Sequence, residues 1–360
     1  MAIFSGEVGL QFVLQAASYY STKELAELAE LGAERGFKQV WLSDVLRYRQ
    51  VFGVATAVAA RAPLKVGTAI MVPYFRNPID VADSVLTISE LTDGREISLG
   101  IAKGSKGQVP QYVEMYKPFR MVRETVGFLQ ALFRGETVWF GDYPTLCEYF
   151  HMNDGGHIEL VREPSCPVLF YGGGVGPRFL GIAGEIMDGI LMGGYFISML
   201  KLGRLEAAMA GADAAAQSAD PQKRLRKVCE MNLAVSDEPG EALAEAKKYA
   251  AHHMVSLQAL GYSPDEFAHI GVDNEQVNRI RAALNSGMTF EQASRDLVTD
   301  SMAQACFIAG RPSECVEPIL ELAAAAERLG FDQISFAKLG RDYAKVIRFL
   351  SAEVLPRLSR

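Results

Sequence analysis

VGTAIMVPYFRNPIDVADSVLTISELTDGREISLGIAKGS, residues 66 to 105, is the stretch on which the fold turns. It opens inside a short β-rich run, KVGTAI (65 to 70), which gives way to a turn framed by Pro73 and Pro78. An amphipathic helix follows, and a second run, EISLGI (96 to 101), leaves at Gly100 into a polar turn from Lys103 to Gly107. Both runs are almost continuously apolar, as expected of strands covered on both faces, and a helix between them makes a parallel crossover unit. Two consecutive strand ends, rich in small residues and free backbone groups, then emerge on one face.

Working outward, the same alternation recurs along the chain. Six further runs carry strand composition: VGLQFVL (8 to 14), QVWLSD (39 to 44), PVLFYG (167 to 172), GILMGG (189 to 194), VCEMNLAV (228 to 235) and QISFAK (333 to 338). Between the first two, TKELAELAELGAERGF spaces Leu25, Leu28, Ala29 and Leu31 with helical periodicity and stops at Gly36. ILELAAAAERLGF stops likewise at Gly330 before the last strand. Eight strands with this punctuation predict an α/β fold, a single (β/α)8 TIM barrel over residues 1 to 360, whose chemistry belongs at the C-terminal strand ends. Two stretches break the rhythm. Residues 134 to 165 predict a hairpin excursion before the fifth strand. Residues 236 to 310 predict a helical insertion whose first helix opens on the Ser, Asp and Pro of SDEPGEALAEAKK. Both are expected over the barrel mouth.

The 360 residues are 49% hydrophobic and carry a formal charge of -7 with scattered Lys and Arg. That balance argues against nucleic acid or an anionic membrane as partner. MAIFSGEVGLQFVLQ lacks a basic leader and an apolar signal core, and no apolar run reaches spanning length, so the expectation is a cytoplasmic enzyme. Cys147, Cys166, Cys229, Cys306 and Cys315 form no C-x-x-C pair, and no His stands at metal-ligand spacing from them, so no metal is expected. His252 and His253 lie in a helical run and read as packing or solvated residues. His151 and His157 sit in the first insertion.

The chemistry-bearing signal is YGGGVGPRFLGIAGEIMDGIL, residues 171 to 191, where a strand enters a glycine turn and then a helix. Gly172, Gly173, Gly174 and Gly176 let backbone approach a ligand closely, and the new helix offers N–H groups and a positive dipole end to a phosphate, with Arg178 adding charge. A dinucleotide-binding fold fits poorly: the third glycine of G-x-G-x-x-G falls at Pro177, and the next strand ends without the acid that holds a ribose.

VGTAIMVPYFRNP paired with SVLTISELTDGREISLGIAKGS resembles the luciferase-like monooxygenase superfamily, and within it the branch of the coenzyme F420-dependent methylenetetrahydromethanopterin reductases. PVLFYGGGVGPRFLGIAGEIMDGIL, RGFKQVWLSD and IAGRPSECVEPILELAAAAERLGFDQISFA extend the resemblance over nearly the whole chain in the same order. The resemblance implies a barrel that forms a homodimer or homotetramer and binds coenzyme F420 or FMN near its axis. It also implies a non-proline cis peptide at the end of the third strand, here Ala69-Ile70. On that basis Ala69, Ile70, Met71 and Val72 shape the ring pocket, Gly173, Gly174, Val175, Gly176, Pro177 and Arg178 anchor the phosphate, and Tyr74 and Arg76 line the substrate side.

Departures from the reductase pattern matter as much. Gln11 and Ser105 stand where those reductases carry acids, and the second strand ends in Asp44-Val45 where they have Asp-His. An amide cannot act as their carboxylate does in proton transfer. Gln11, Asp44 and Ser105 are therefore only candidates for a catalytic role. The expected activity is hydride or electron transfer between the bound cofactor and a small organic substrate. A two-component FMN monooxygenase, supplied by a separate flavin reductase, and a non-catalytic flavin-binding barrel are the alternatives.

Overall fold

The protein is described from a computed structural model covering residues 2–105, 109–238 and 240–359. Gly107, at the far end of the polar turn after the fourth strand, and Pro239, at the expected helix start, lie outside the described residues.

The eight expected strands all form: β1 (Glu7–Phe12), β2 (Gln39–Leu42), β3 (Lys65–Met71), β4 (Ile97–Ile101), β5 (Val168–Gly173), β6 (Gly189–Leu191), β7 (Arg226–Val235) and β8 (Gln333–Ala337). Every pairing in register among them is parallel. Helices join them, as the alternation requires. The fold class is α/β, a (β/α)8 TIM barrel.

The chain groups into two compact units, which exchange at 10/11, 191/192, 210/211 and 226/227. The first comprises residues 11–191 and 211–226. In it β2, β3, β4, β5 and β6 follow in sequence order, and the Ser43 N–H donates to the Phe12 carbonyl of β1. Helix Thr22–Glu34 begins in a capping box, where Ser21 and Glu24 satisfy each other's backbone N–H groups, and the chain turns away at Gly36 with φ of 95°. Asn77 caps helix Pro78–Ser89 by accepting from the Ile79 N–H, so the turn after β3 is closed by its own sequence. β3 and β4 run in register from Val66 opposite Ile97 to Thr68 opposite Leu99, then shift before Met71. The shift coincides with the Ala69-Ile70 peptide, which is cis. Gly100 sits against it: a Cβ there would lie 2.1 Å from the Thr68 carbonyl oxygen.

The second unit comprises residues 1–10, 192–210 and 227–360. β7 lies beside β8, with Glu230 opposite Ser335 and Asn232 opposite Ala337. The Glu7 N–H of β1 donates to the Asp332 carbonyl just before β8. A short strand, Ile308–Gly310, joins β7 from the other side. It was not expected, because three residues carry no periodicity.

The excursion over 134–165 is the expected hairpin, with Val138–Trp139 antiparallel to His157–Ile158 and a short helix, Pro144–Phe150, between them. The stretch 236–310 is helical, as expected. Its first helix, Glu241–Ala259, is not capped by Ser236 or Asp237, however. Gly240 occupies the N-cap at φ of 80°, and the Ser236 hydroxyl donates to the Glu241 carboxylate instead.

A fragment of residues 195–360 keeps β7 and β8 but loses the Glu7–Leu10 segment that belongs to their unit. It is expected to show no cooperative thermal transition by circular dichroism. A sharp transition in that fragment would overturn the assignment of β1 to this unit's sheet.

Candidate active site

At the C-terminal end of β3 the backbone is fixed by one carboxylate. Asp44, at the end of β2, is buried, and its side chain is fully enclosed. Its Oδ2 accepts from the Val72 N–H at 3.2 Å, and both oxygens accept from the Arg76 guanidinium, at 2.5 and 2.9 Å. Its own N–H donates to the Ile70 carbonyl. Asp44 is thus occupied by the chain itself. Arg76, expected to face substrate, instead closes this pair over the Phe52 ring, and Tyr74 is buried too. Its hydroxyl donates to the Tyr116 carbonyl at 3.3 Å, its ring meets Tyr149 edge-on, and burial pushes the phenol well above its ordinary range.

Gln11 reaches the same place from β1. It is 3% exposed, and its Nε2 donates to the Ala69 carbonyl at 3.3 Å, while its Oε1 has no hydrogen-bond partner among the described residues. A buried amide oxygen without a donor carries a desolvation cost of ~1–3 kcal/mol, so it marks a position where something belongs.

The glycine turn after β5 meets the end of β3 directly. A Cβ on Gly173 would lie 2.1 Å from Ile70 Cγ2, so the Ile70 side chain occupies the space that only glycine leaves. The expected ring-pocket and phosphate segments are therefore neighbours. None of Gly172, Gly173, Gly174 or Gly176 has a positive φ, so their use is close approach and not a special turn. Helix Pro177–Ile186 starts from Gly176 with no side chain capping it, and the Phe179 and Leu180 N–H groups donate to the Gly176 carbonyl. Arg178 stacks on Phe119 at 4.2 Å and lines an open groove of about 770 Å³ with Arg120 and Arg123. Ser105 follows Gly104, and its carbonyl accepts from the Val109 N–H.

In the second unit lies a polar cluster that sequence reading passed over. Lys338, just beyond β8 at φ of 71°, places its Nζ 2.6 Å from Asn232 Oδ1 and 3.4 Å from Glu230 Oε1. Asn232 donates to the Gly194 and Cys306 carbonyls. The overlooked signal was an acid and an amide two residues apart in VCEMNLAV, a run otherwise suited to a strand covered on both faces. Near it, His253 Nε2 lies 2.8 Å from Ser198 Oγ and its ring stacks on Tyr195. Burial, reinforced by the Lys338 charge, pulls His253 down to about 3 and His252 to about 4. Both are neutral at physiological pH.

The family model of the luciferase-like monooxygenases matches residues 8–321. The chain belongs to the luciferase-like monooxygenase family. Among its relatives is the 5,10-methylenetetrahydromethanopterin reductase of Archaeoglobus fulgidus, 28% identical over 97% of this chain and 99% of that protein. Another is the F420-dependent glucose-6-phosphate dehydrogenase of Nakamurella multipartita, 26% identical over 95% and 94% of the two chains. The solved structure of the coenzyme F420-dependent tetrahydromethanopterin reductase from Methanopyrus kandleri superposes with a TM-score of 0.72 at 21% identity, over 98% and 99% of the two chains. This luciferase-like chain is an enzyme of the oxidoreductase type. Among its described residues, no helix is long and apolar enough to cross a membrane, and no group of three or more His, Cys, Asp or Glu is placed to hold a metal ion.

Two outcomes follow from this geometry. Arg76→Leu leaves the Asp44 carboxylate buried without its cation and is expected to lower stability by about 3–5 kcal/mol in urea unfolding, whereas Asp44→Asn with Arg76→Leu recovers much of it. For His253, the folded imidazole titrates below its ordinary 6.5. Its contribution is complete above that value and drains as pH falls toward about 3, at about 1.4 kcal/mol per pH unit. A folded His253→Gln variant should therefore lose about 2 kcal/mol less than wild type between pH 7 and pH 5; equal losses would show that the imidazole is not held neutral.

Proposed function

We propose that the enzyme transfers hydride between coenzyme F420 and a small organic substrate, binding the ring at the end of β3. The observation that carries this is the Gln11 amide: a buried acceptor without a donor, anchored through its other atom on the cis peptide's carbonyl side, beside a glycine wall closed by Ile70. Whole-length relatives named for F420 support the choice of carrier.

The residues present fit such a group. Gln11 Oε1 accepts from a ring N–H or a hydroxyl. Ile70 supports one face of the ring, with Ala69, Met71 and Val72 completing the wall, and the Asp44–Arg76 pair holds that wall rigid. Gly173, Gly174, Val175, Gly176 and Pro177 admit a phosphate to the backbone donors of helix Pro177–Ile186, and Arg178 adds positive charge at its edge. Bound there, the deazaflavin supplies a hydride-carrying carbon, which is the chemistry no side chain offers. Gln11 positions and does not ionise, so the proton that accompanies hydride transfer is handled by another residue.

Titration of the purified protein with oxidised coenzyme F420 and, separately, FMN tests this, with intrinsic and coenzyme fluorescence as the readout. Saturable F420 binding, weakened about tenfold or more by Gln11→Leu while the thermal midpoint shifts by only a few degrees, is the expected result. Tight FMN binding with no F420 binding would replace this reading with the FMN monooxygenase and its separate reductase.

A further inference from the structure

The open groove beside Arg178 is larger than the anchoring of one phosphate requires. Its floor is helix Pro177–Ile186, one wall is the start of helix Pro118–Phe133, and the other is the end of helix Leu205–Ala219, whose residues from 211 on belong to the same unit. Packing sets the walls. Gly184 lets the end of helix Leu205–Ala219 lie directly on the floor helix, since a Cβ there would stand 2.4 Å from the Ala212 carbonyl oxygen and 3.0 Å from Ala215 Cβ. The floor itself is bare at Gly181, where a Cβ would meet nothing within 4 Å. Ala215 and Ala219, one turn apart, keep the far wall low.

The near wall is cationic. Arg120 and Arg123 stand three residues apart on one face of their helix, and Arg178 joins them from the floor, its guanidinium 4.2 Å from the centre of the Phe119 ring. Arg123 shows what such a group takes here: both its terminal nitrogens donate to the Glu185 carboxylate, further along the floor. Arg120 and Arg178 meet no carboxylate among the described residues. Each stands in the first turn of a helix that carries no acid there, whereas helices Thr22–Glu34 and Pro78–Ser89 place Glu24 and Asp80 in that turn. A cation at a helix start adds to the positive end of the dipole, so this charge is unanswered within the fold and favours an anion from outside. In a chain with a formal charge of -7, the patch reverses the prevailing sign.

Guanidiniums along one wall, with glycine and alanine along the floor and the other wall, complement a helix that bears carboxylates on one edge and small residues on the stripe beside it. We propose that the groove docks an acidic helical segment of a partner protein, its carboxylates on Arg120 and Arg178 and its small residues against Gly181 and Ala215. A small anion needs only the arginines; the bare floor is what selects a peptide. A nucleic acid strand would bring phosphates against Glu185. Guanidinium–carboxylate pairs at an open surface are screened by salt, so the docking is weak and transient. None of this depends on which coenzyme binds at the end of β3.

Fluorescence anisotropy on the full chain tests the proposal. The probe is a fluorescein-labelled alanine peptide of about 18 residues with glutamate at every fourth position, long enough to be helical by itself. The same peptide with lysine for glutamate, inorganic phosphate and single-stranded DNA serve as comparisons. Saturable binding of the glutamate peptide, weakened about fivefold or more between about 50 and about 300 mM salt, with no binding of the lysine peptide, is the expected result. Two variants should each weaken it at least fivefold with the thermal midpoint within a few degrees of wild type. Arg120→Glu reverses the charge, and Gly181→Leu fills the floor from a position whose Cβ meets nothing in the fold and whose helix prefers leucine to glycine. Arg178 is left unchanged because it also stands at the coenzyme's phosphate, so failure of either reading leaves the other in place. Absence of peptide binding at low salt overturns the proposal, as does a folded Gly181→Leu variant that binds the peptide like wild type. Displacement of the peptide by phosphate at equal concentration would reduce the groove to a simple anion site, and tighter binding of the DNA would assign it to nucleic acid; either overturns the proposal. Self-association of wild type in sedimentation, abolished by both variants, would give the groove to a second copy of this chain and overturn it as well.

Discussion

The Asp44 carboxylate is the constraint around which the end of β3 is arranged. It answers a backbone N–H at Val72 and the guanidinium of Arg76 together, while its own N–H reaches the Ile70 carbonyl. A charge so enclosed is tolerable only when every oxygen is engaged, and here all the partners come from one short stretch, residues 70 to 76. The chain between Ala69 and Arg76 is therefore pinned at both ends to the end of β2. The turn that follows needs no further support than the Asn77 cap before it enters the next helix.

That pinning explains why the site is built from small residues and main chain. Ile70 can lie on Gly173 because nothing at position 173 resists it, and Gly100 accepts the Thr68 carbonyl in the same way. Each contact removes a side chain and gains proximity, so the surface offered at the strand ends is shaped by backbone positions, which reorganise little when a ligand arrives. An interior built so tightly also has few adjustable parts. Gln11 Oε1 stands out within it because almost everything around it is satisfied.

Much of this was legible in the residues. Near-continuous apolar runs separated by helices ending in Gly36 and Gly330 led to the strands, and the family resemblance carried by VGTAIMVPYFRNP implied the cis bond. Pairings across distance left no trace in the pattern. Arg76 reads as a mouth residue because it follows the end of the third strand closely, and only the fold reveals its pairing with Asp44. Glu230 and Asn232 were hidden for the opposite reason: their neighbours are so apolar that the whole run registers as strand. The cap of helix Glu241–Ala259 was misread because Ser236 and Asp237 are good caps in general, yet they stand too far ahead of a helix that starts from Gly240. A three-residue strand such as Ile308–Gly310 is below what periodicity can resolve.

Asn232 bears on how this enzyme can change over generations. Two main-chain carbonyls and one ammonium use its full complement of donors and its acceptor. Aspartate at that position would set a carboxylate against two carbonyl oxygens, and leucine would strand both carbonyls and the ammonium. Position 232 is therefore closed to gradual drift, whereas Phe307, which meets Lys338 through its ring face, can vary in size without disturbing that bracket. The ring beside Lys338 is open to replacement, and the amide at 232 is not.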